Sequence, residues 1–560
     1  MIWFGLAAMI AGMYLRTIQR RNKDGSVVRY VQLAHNVRHP ESGNSVAKVL
    51  HSFGREDALD RDGLERLVGS ISRYLGIAGP DGDGDALSVL SSKRLGGVWA
   101  LDGLWRRIGI DSTMARLAGG RRFGTDVERV LFALVANRAL EPSSKLAATS
   151  WVTDMVVIDR LDGFDTDEAY RAMDWLLEVE EDLAEAIYWS TADLLNLEVD
   201  LLFFDTTSTY FQTETADEPA DGETVGFRTW GKSKDHRDDL PQVVIGMAVT
   251  REGIPIRVWT WPGNTGDQAL IRQAKDDLRS WRLGRVVWVA DRGFSSAENR
   301  RYLQRAGGNY IIGEKLRSGS PEAAAALSRQ GRYQTVAGNL QVKEVVIDDG
   351  VMRDRFVICR NPDQATRDQA IRDQLVTQLQ DAIDGTDKLS AEDRAAHAAR
   401  LPAGLRRFLR HTTTGRLRVD RAKVRAEANL DGKFLLRTSD PTLSATDIAL
   451  GYKQLLEVER GWRDMKSTLD LRPVFHRLED RIRAHVLLCW LALLLIRIAE
   501  TETGDTWRNL RHQLDQIHLI ELAGTTGRVH QRTELTAAQT RILAALNVGE
   551  PPRFTHLTPT

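Results

Sequence analysis

The sequence predicts an α/β fold built on a mixed sheet and preceded by a helical region. An apolar run at 199–211 contains an acid and then hydroxyl residues. Two further apolar runs, 243–250 and 254–261, are separated by a short turn that suits a hairpin. A run at 285–290 is followed by a helical pattern and then by a run at 309–313. This order of strand, hairpin, helix, strand, helix and strand is typical of a mixed α/β sheet.

Length and composition indicate several hydrophobic cores. The chain has 560 residues, more than one ordinary domain, with 42% hydrophobic and 27% charged residues. Its 76 basic and 77 acidic residues give a net charge of −1, which excludes a uniformly basic nucleic-acid coat but not local basic faces. The two cysteines, Cys359 and Cys489, form neither a zinc knuckle nor a disulfide framework, so we expect an intracellular protein.

Two apolar segments resemble membrane spans by composition alone. Residues 2–15 have no basic region ahead of them and are too short to cross a bilayer; Met9 and Met13 are alternative starts to Met1. Residues 486–496 have the length of a buried core helix. We therefore expect no membrane association.

Changes of pattern along the chain predict six regions. Residues 154–200 carry fifteen acidic and two basic residues, a surface that repels a phosphate backbone. Residues 406–425 carry eight basic residues and one acid, consistent either with a solvated helix and hairpin or with phosphate contact. The regions are a strand-rich basic module at 1–84, a helical, partly acidic region at 85–197, the first part of the sheet domain at 198–313, a β-rich insertion with a basic segment at 314–445, helices of the sheet domain at 446–500 and a helical tail at 501–560.

Two acids are placed where chemistry is expected. Asp205 and Asp291 each lie at the carboxyl end of an apolar strand run, where open α/β sheets bind ligands. If the two strands are neighbours, the carboxylates project side by side and repel each other unless a divalent cation lies between them. The alternative is that both are ordinary turn acids.

A third acid belongs to a helical segment. Tyr452, Glu459 and Lys466 are spaced by seven residues, so on a helix they form one ridge. Glu457 is the competing acid, but it lies about 160° round the helix from Glu459. The ridge borders an apolar stripe made of Leu455, Val458, Trp462, Met465 and Leu469.

These segments together resemble a known family. The runs FFDTTST, VADRGF and Y-x2-L-x3-E-x6-K are similar to the three signature blocks of the DDE transposases of bacterial insertion sequences, in the insertion-sequence-four superfamily. The run GKSKDHRDDLPQ at 231–242 and the run KDGSVVRYVQL at 23–33 fit one group within it. The resemblance extends over roughly residues 14–500, with the blocks in the right order.

The resemblance implies an RNase H-like fold in which Asp205, Asp291 and Glu459 are the catalytic, metal-binding triad. It implies two Mg²⁺ ions, with Mn²⁺ as a substitute, and phosphoryl transfer that cleaves the ends of an insertion sequence and joins them to target DNA. The expected partners are double-stranded DNA, as terminal inverted repeats and target, and a second copy of the chain on that DNA. The expected location is the bacterial cytoplasm, at the nucleoid when DNA is bound.

The resemblance also implies DNA contacts. Tyr452 and Lys466 match the tyrosine and lysine that support the DNA end, whereas Leu455 stands where the family has arginine. Arg460 or Arg463 can replace that arginine, and the choice stays open. A basic cluster after the first catalytic strand is either a DNA-contact loop, which we favour, or a solvated turn. Its members are Lys232, Lys234, His236 and Arg237.

Two other functions are compatible with parts of the pattern. One is a transposase-derived DNA-binding protein that has lost catalysis, although all three acids are present. The other is a haloacid dehalogenase-like phosphatase, which would require a second acid two residues after Asp205, where Thr207 stands.

Overall fold

The structure is a computed structural model. Its contacts divide the chain into two compact units, one formed by Met1–Ser88, Ala523–Arg528 and Pro559–Thr560 and the other by Val89–Leu522 and Val529–Thr558. The described residues are 13–21, 27–38, 45–75, 87–121, 123–195, 201–219, 226–281, 283, 285–317, 319–348, 353–524 and 527–559. Most of the apolar segment at 2–15 lies outside these residues.

The small unit contains an antiparallel sheet of three strands, β1 (Met13–Arg21), β2 (Val27–Arg38) and β3 (Ser45–Arg55), in that order. Leu15 pairs with Leu33 across β1 and β2. Helix α1 (Arg61–Tyr74) follows the sheet. Its core is small, with Val31 and Ala34 buried.

After one short strand, the large unit continues through helices into a large sheet. The remaining strands are β4 (Ser88–Arg94), β5 (Leu201–Tyr210), β6 (Gln242–Val249), β7 (Pro255–Pro262), β8 (Val287–Ala290), β9 (Asn309–Glu314), β10 (Gln334–Ala337), β11 (Leu340–Asp348), β12 (Arg353–Arg360), β13 (Leu409–His411), β14 (Leu417–Val419), β15 (Lys433–Thr438), β16 (His518–Gly524), β17 (Gly527–Arg532) and β18 (Phe554–Pro559). The remaining helices are α2 (Gly96–Arg107), α3 (Ile110–Ala118), α4 (Val127–Leu140), α5 (Lys145–Ser150), α6 (Thr166–Glu178), α7 (Glu180–Leu195), α8 (Asp267–Asp277), α9 (Ala297–Gln304), α10 (Pro321–Ser328), α11 (Pro362–Ile383), α12 (Ala391–Arg400), α13 (Ala403–Arg406), α14 (Arg421–Ala428), α15 (Ala445–Lys453), α16 (Leu456–Ser467), α17 (Glu479–Thr503), α18 (Trp507–Leu514) and α19 (Ala537–Ala545).

The central sheet has nine strands in the order β10, β11, β12, β15, β9, β8, β5, β6, β7. Strands β5, β8 and β9 are mutually parallel, and the remaining pairs are antiparallel. The predicted mixed α/β sheet is therefore confirmed, including the hairpin of β6 and β7 with α8 and α9 as crossover helices. The parallel centre is buried on both faces, since every residue of β8 is buried and β5 is buried from Leu201 to Phe204.

Helix α17 forms the core that supports the sheet. It packs against α4, α6 and β7, and its residues from 484 to 499 are all buried. Among the described residues, α17 is the one helix long and apolar enough to cross a membrane, and 94% of its most apolar window is buried inside the protein. The expectation of a buried core helix at 486–496 is confirmed.

Two regions differ from the prediction in their secondary structure. The segment predicted as a β-rich insertion, 314–445, contributes β10, β11, β12 and β15 to the central sheet, but it also contains helices α10 to α14. These helices and the β13–β14 hairpin bury a separate core that includes Leu379, Phe408 and Leu417. Apolar residues of α11 and of the hairpin supply that core, so the insertion is mixed.

The region 501–560, expected to be a helical tail, is also mixed. Between and after α18 and α19 it forms β16, β17 and β18, which join β4 in a four-stranded sheet, most of which lies in the large unit. Leu510, Leu543 and Leu546 are buried. The tail is therefore a packed part of the fold, because its helices bury leucines that a loose segment would expose.

We expect Leu491→Ala, on α17, to lower the free energy of unfolding by about 2–5 kcal/mol, because it leaves a cavity in a close-packed core. Leu491 is fully buried. Ile371→Ala is the control, since Ile371 is 54% exposed on α11 and its truncation should change stability by less than about 0.5 kcal/mol. Chemical denaturation followed by circular dichroism measures both. Equal effects would contradict the role given to α17.

Candidate active site

The site is built on two neighbouring parallel strands. Phe204 of β5 lies opposite Ala290 of β8, so the next residues, Asp205 and Asp291, lie side by side. Asp291 follows the end of β8, whereas Asp205, which the sequence placed at a strand end, lies within β5, because that strand continues to Tyr210 by pairing with β6. The pKa of Asp205 is raised to about 6; burial is the largest cause, the carboxylates of Asp291 and Asp267 contribute, and Lys234 opposes the rise. The two carboxylates therefore interact through space, as expected if their strands are adjacent.

The turn after β8 holds Asp291 in place. Its carboxylate accepts a hydrogen bond from the backbone N–H of Gly293. A Cβ at Gly293 would lie 2.8 Å from Asp291 Oδ1, so a larger residue would displace the carboxylate. Phe294, which is buried, packs edge-to-face on Phe204 with ring centroids 5.5 Å apart. The aromatic residue of the second block thus packs against the strand of the first.

Glu459 of α16 lies in a cleft that also contains Asp291 and Tyr452. The cleft has a volume of about 840 Å³. Glu457 points elsewhere: its Oε2 lies 2.9 Å from the Cβ position of Gly253, in the turn between β6 and β7. Glu459 is therefore the acid of this helix that shares a cleft with Asp291.

The carboxylates meet only part of the requirement for a metal site. Asp205 and Asp291 are adjacent, and oxygen ligands of this kind suit Mg²⁺. Within the described residues, however, no group of three or more His, Cys, Asp or Glu side chains is gathered for metal coordination. Glu459 shares the cleft with Asp291 without completing such a group in this arrangement of side chains.

Tyr452 and Lys466 lie on two helices that are separated by a short break. The expected single helix is interrupted at Gln454 and Leu455, because the backbone N–H groups there bond three residues back, to Gly451 and Tyr452. Both residues keep right-handed helical torsions, so the direction of the chain is maintained. The apolar stripe is as predicted: Val458, Trp462, Met465 and Leu469 are buried and Leu455 is partly buried.

Tyr452 lines the cleft together with Asp291. Its ring stacks on Phe434, with centroids 6.0 Å apart, and its hydroxyl lies 2.5 Å from the Cβ position of Gly313, which glycine alone leaves free. Burial raises the pKa of Tyr452 above its usual range, and the Asp291 carboxylate adds to the effect.

Lysines flank the hydroxyl residues that follow Asp205. Lys466 Nζ donates to Thr207 Oγ1 at 2.8 Å and to Asp235 Oδ1 at 3.0 Å. Burial lowers the pKa of Lys466, while Asp235 opposes that change. Lys234 Nζ donates to the Thr206 carbonyl at 2.7 Å. Thr207, the position at which the phosphatase alternative needs an acid, thus contacts the lysine of the third block.

Two acids at this site were not singled out from the sequence. Asp267, at the start of α8, pairs with Lys234 at 3.3 Å and accepts a hydrogen bond from Thr206. Asp235 pairs with both Lys466 and Arg472, the latter at 2.7 Å. Asp235 belongs to the GKSKDHRDDLPQ run, which could have indicated it. Asp267 carries no comparable signal, since an acid in the first turn of a helix is common.

The other basic residues named from the sequence are dispersed. Arg460 pairs with Glu500 of α17 at 2.8 Å, and Arg463 is exposed. Arg237 pairs with Asp239 at 2.8 Å. Lys232 and His236 are exposed, and His236 adopts a left-handed backbone conformation with φ of +57°.

Further basic side chains line the cleft together with Asp291 and Glu459. They come from four separate parts of the chain, so their common location depends on the tertiary fold. The buried acid Glu314 also lines the cleft, but it is ion-paired with Arg300 at 3.3 Å and with Arg437 at 3.5 Å. The basic residues of the lining are Arg292, Lys315, Arg317, Lys433 and Lys453.

Comparison with known proteins identifies two regions of the chain. Residues 15–82 match the N-terminal domain of IS1634 family transposases, and residues 202–495 match the transposase DDE domain. The chain is also similar to a solved structure, a cryo-EM structure of the piggyBac transposase synaptic complex with hairpin DNA. It is 10% identical, with a TM-score of 0.34, over 75% of this chain and 79% of that chain. No curated protein matches.

The DDE match covers 294 residues (202 to 495) of the 560, more than half of the chain, and it contains all three carboxylates of the site. The chain therefore belongs to the DDE transposase family and is a DNA transposase of an insertion-sequence type, a polynucleotidyl transferase and endonuclease.

Proposed function

We propose that Asp205, Asp291 and Glu459 are the catalytic triad of this transposase. The observation that carries the proposal is the adjacency of Asp205, within β5, and Asp291, at the end of the parallel strand β8, where a pair of like charges calls for a cation. With a pKa of about 6, Asp205 is mainly ionised at neutral pH and so can act as a ligand. Glu459 lines the same cleft as Asp291.

These carboxylates would hold two divalent ions, Mg²⁺ with Mn²⁺ as a substitute, which when bound assist both the attacking and the leaving oxygen of an in-line displacement at phosphorus. The protein's own residues position the strand. The basic lining of the cleft binds the phosphodiester backbone, and no side chain forms a covalent intermediate. The same site serves cleavage of the insertion-sequence end and strand transfer, since only the nucleophile differs.

Tyr452 and Lys466 are the residues that we assign to the DNA end. Tyr452 borders the cleft beside Asp291, and Lys466 lies beside Thr207 on the strand of Asp205. Arg463, which is exposed, is preferred over Arg460 as the substitute for the family arginine, because Arg460 is engaged by Glu500. We assign the loop with Lys232, Lys234, His236 and Arg237 to DNA contact as well.

We place the chain in the insertion-sequence-four superfamily with an RNase H-like catalytic domain, consistent with the parallel β5, β8 and β9 and their antiparallel hairpin. Its substrates are double-stranded terminal inverted repeats and target DNA. Two ends must be cut together, so the working form is a homodimer on DNA. Its place is the bacterial cytoplasm, at the nucleoid when DNA is bound.

We expect Glu459→Gln to lower the rate of Mg²⁺-dependent cleavage of DNA carrying the element's ends by about 10³-fold, equivalent to about 4 kcal/mol of barrier, because a metal ligand is lost. Glu457→Gln is the matched control, on the same helix and with the same change of charge, and should cleave as the wild type does. Gel electrophoresis of end-labelled DNA measures both. Equal losses, or a loss in the Glu457 variant alone, would show that the wrong acid has been assigned.

We expect Mg²⁺ or Mn²⁺ to raise the melting temperature of the wild-type protein, because an ion that binds only the folded state stabilises it. Asp205→Asn should abolish that rise. Without metal, the same variant should melt at or above the wild-type temperature, since it removes one of two repelling carboxylates. Differential scanning fluorimetry with a chelator control measures this, and a metal-induced rise that survives in Asp205→Asn would contradict the proposed ligand.

We expect Gly293→Ala to reduce cleavage strongly, by roughly 10² or more, while the protein stays folded, since the new Cβ displaces the Asp291 carboxylate by crowding Oδ1. Gly404→Ala is the control, because nothing lies within 4 Å of the Cβ position there. Cleavage assays combined with circular dichroism distinguish a local displacement from unfolding. Wild-type activity of Gly293→Ala would show that the position of Asp291 is not critical.

A further inference from the structure

A cationic pocket lies away from the carboxylates of the active site. It has a volume of about 260 Å³ and is formed by the end of α4, the start of α5 and the segment between α16 and α17. Four basic side chains line it: Arg138, Lys145, His476 and His485.

The charges of the pocket are not balanced by acids. Lys145 is 5% exposed, and its Nζ contacts one hydrogen-bonding partner within the described residues, His485 Nδ1 at 3.5 Å. Arg138 is also 5% exposed; it donates through Nη1 to the backbone carbonyls of Leu469 and Asp470 at 3.4 and 3.3 Å, and its Nε has no partner. In the described part of the chain, no carboxylate lies within 4.0 Å of either cation, although the exposed Asp470 also lines the cavity.

Burial of these groups is costly to the fold. Burial lowers the pKa of Lys145 to about 7, and Arg138 adds to the effect. Burial likewise lowers the pKa of His476 to about 4 and that of His485 well below its usual value, with Lys145 and Arg138 contributing to both. The two histidines are therefore neutral, and the cations of the pocket are Arg138 and Lys145. Buried cations normally pair with acids, so these two, which have no acid partner, indicate that an anionic group completes the site.

The chain around the pocket connects it to the active site. Arg472, four residues before His476, pairs with Asp235, the carboxylate that Lys466 also contacts. Phe475 lines the pocket and is 80% exposed. An exposed aromatic ring beside cationic groups is the combination with which proteins bind an unpaired or terminal nucleotide, the ring stacking on the free face of the base and the cations contacting the phosphate.

We infer that this pocket binds one backbone phosphate of the DNA on which the transposase acts, with Arg138 and Lys145 as the donors and Phe475 against the neighbouring base. The inference rests on the DNA transposase function and is independent of the assignment of the catalytic triad. Hydrogen-bond donors supplied by basic side chains, and the space for a tetrahedral anion, make a phosphodiester the matching ligand.

Lys145→Met tests the inference, because it keeps the length of the side chain and removes the charge. We expect affinity for an oligonucleotide duplex carrying the element's end to fall about tenfold, and the slope of log affinity against log salt to decrease by about 1, as for the loss of one phosphate contact. We also expect the melting temperature without DNA to rise, since a buried unpaired charge is removed. A residue that served only the fold would lower the melting temperature when replaced.

Lys275→Met is the matched control. Lys275 Nζ donates to three backbone carbonyls, those of Tyr302, Leu303 and Arg305, at 3.0, 2.7 and 2.9 Å. Its replacement should lower the melting temperature and leave the DNA affinity of the folded protein unchanged. Fluorescence anisotropy at several salt concentrations measures affinity for both variants.

A measurement with inorganic phosphate shows whether the pocket binds a phosphate of DNA or a free anion. We expect it to raise the melting temperature of the wild type but not of Lys145→Met. If Lys145→Met loses this response and still binds DNA as the wild type does, the pocket is a free-anion site and the inference is overturned. Unchanged DNA affinity together with an unchanged phosphate response also overturns it. Glu459→Gln keeps this pocket intact, so a failure of the triad assignment would appear in cleavage and not in binding.

Discussion

The repulsion between Asp205 and Asp291 is the constraint on which the rest of the site depends. Two carboxylates side by side on adjacent parallel strands repel each other. Burial is the largest cause that raises the pKa of Asp205 to about 6, and the charge of Asp291 contributes to that rise. The fold opposes the repulsion with rigid parts. Phe294 packs on Phe204 across the two strands, and the N–H of Gly293 binds the Asp291 carboxylate. Phe204, Gly293 and Phe294, which lie within three residues of the two acids in the chain, therefore hold Asp205 and Asp291 together.

The large sheet and helix α17 supply the rigidity that this arrangement requires. Parallel strands β5, β8 and β9 are buried at the centre of nine strands, and α17 is buried along nearly its whole length against β7 and two helices of the preceding region. Helix α16 packs on this framework through Val458 and Met465. Because that face is committed to the core, Glu459 and Lys466 are directed to the site from a fixed position.

The distribution of charge explains why an almost neutral protein can handle DNA. The net charge of −1 is a sum over unlike surfaces. Basic side chains from four separate segments line the cleft that contains Asp291 and Glu459. Two further cations, Arg138 and Lys145, are buried without an acid partner in a pocket that His476, four residues after Arg472, also lines. Both groups are local, so neither is visible in the overall composition.

Local patterns in the sequence were enough to predict the order of strands and helices from β5 to β9, the buried helix α17 and the apolar stripe of α16, since each depends on periodicity within a short segment. The family blocks were enough to name the three carboxylates, Tyr452 and Lys466 as candidates. The break at Gln454 was missed because both flanking segments are helical in pattern.

Only the tertiary structure decided which residues share a surface. The insertion joins β15 to β9 and so extends the central sheet, which no local pattern indicates. Asp235 and Asp267 reach the lysines of the site through contacts between distant segments, and Arg460 turns to Glu500 of another helix. The physical reason is the same in each case: secondary structure follows from neighbours along the chain, whereas a site is assembled by strand pairing and helix packing between residues far apart in it.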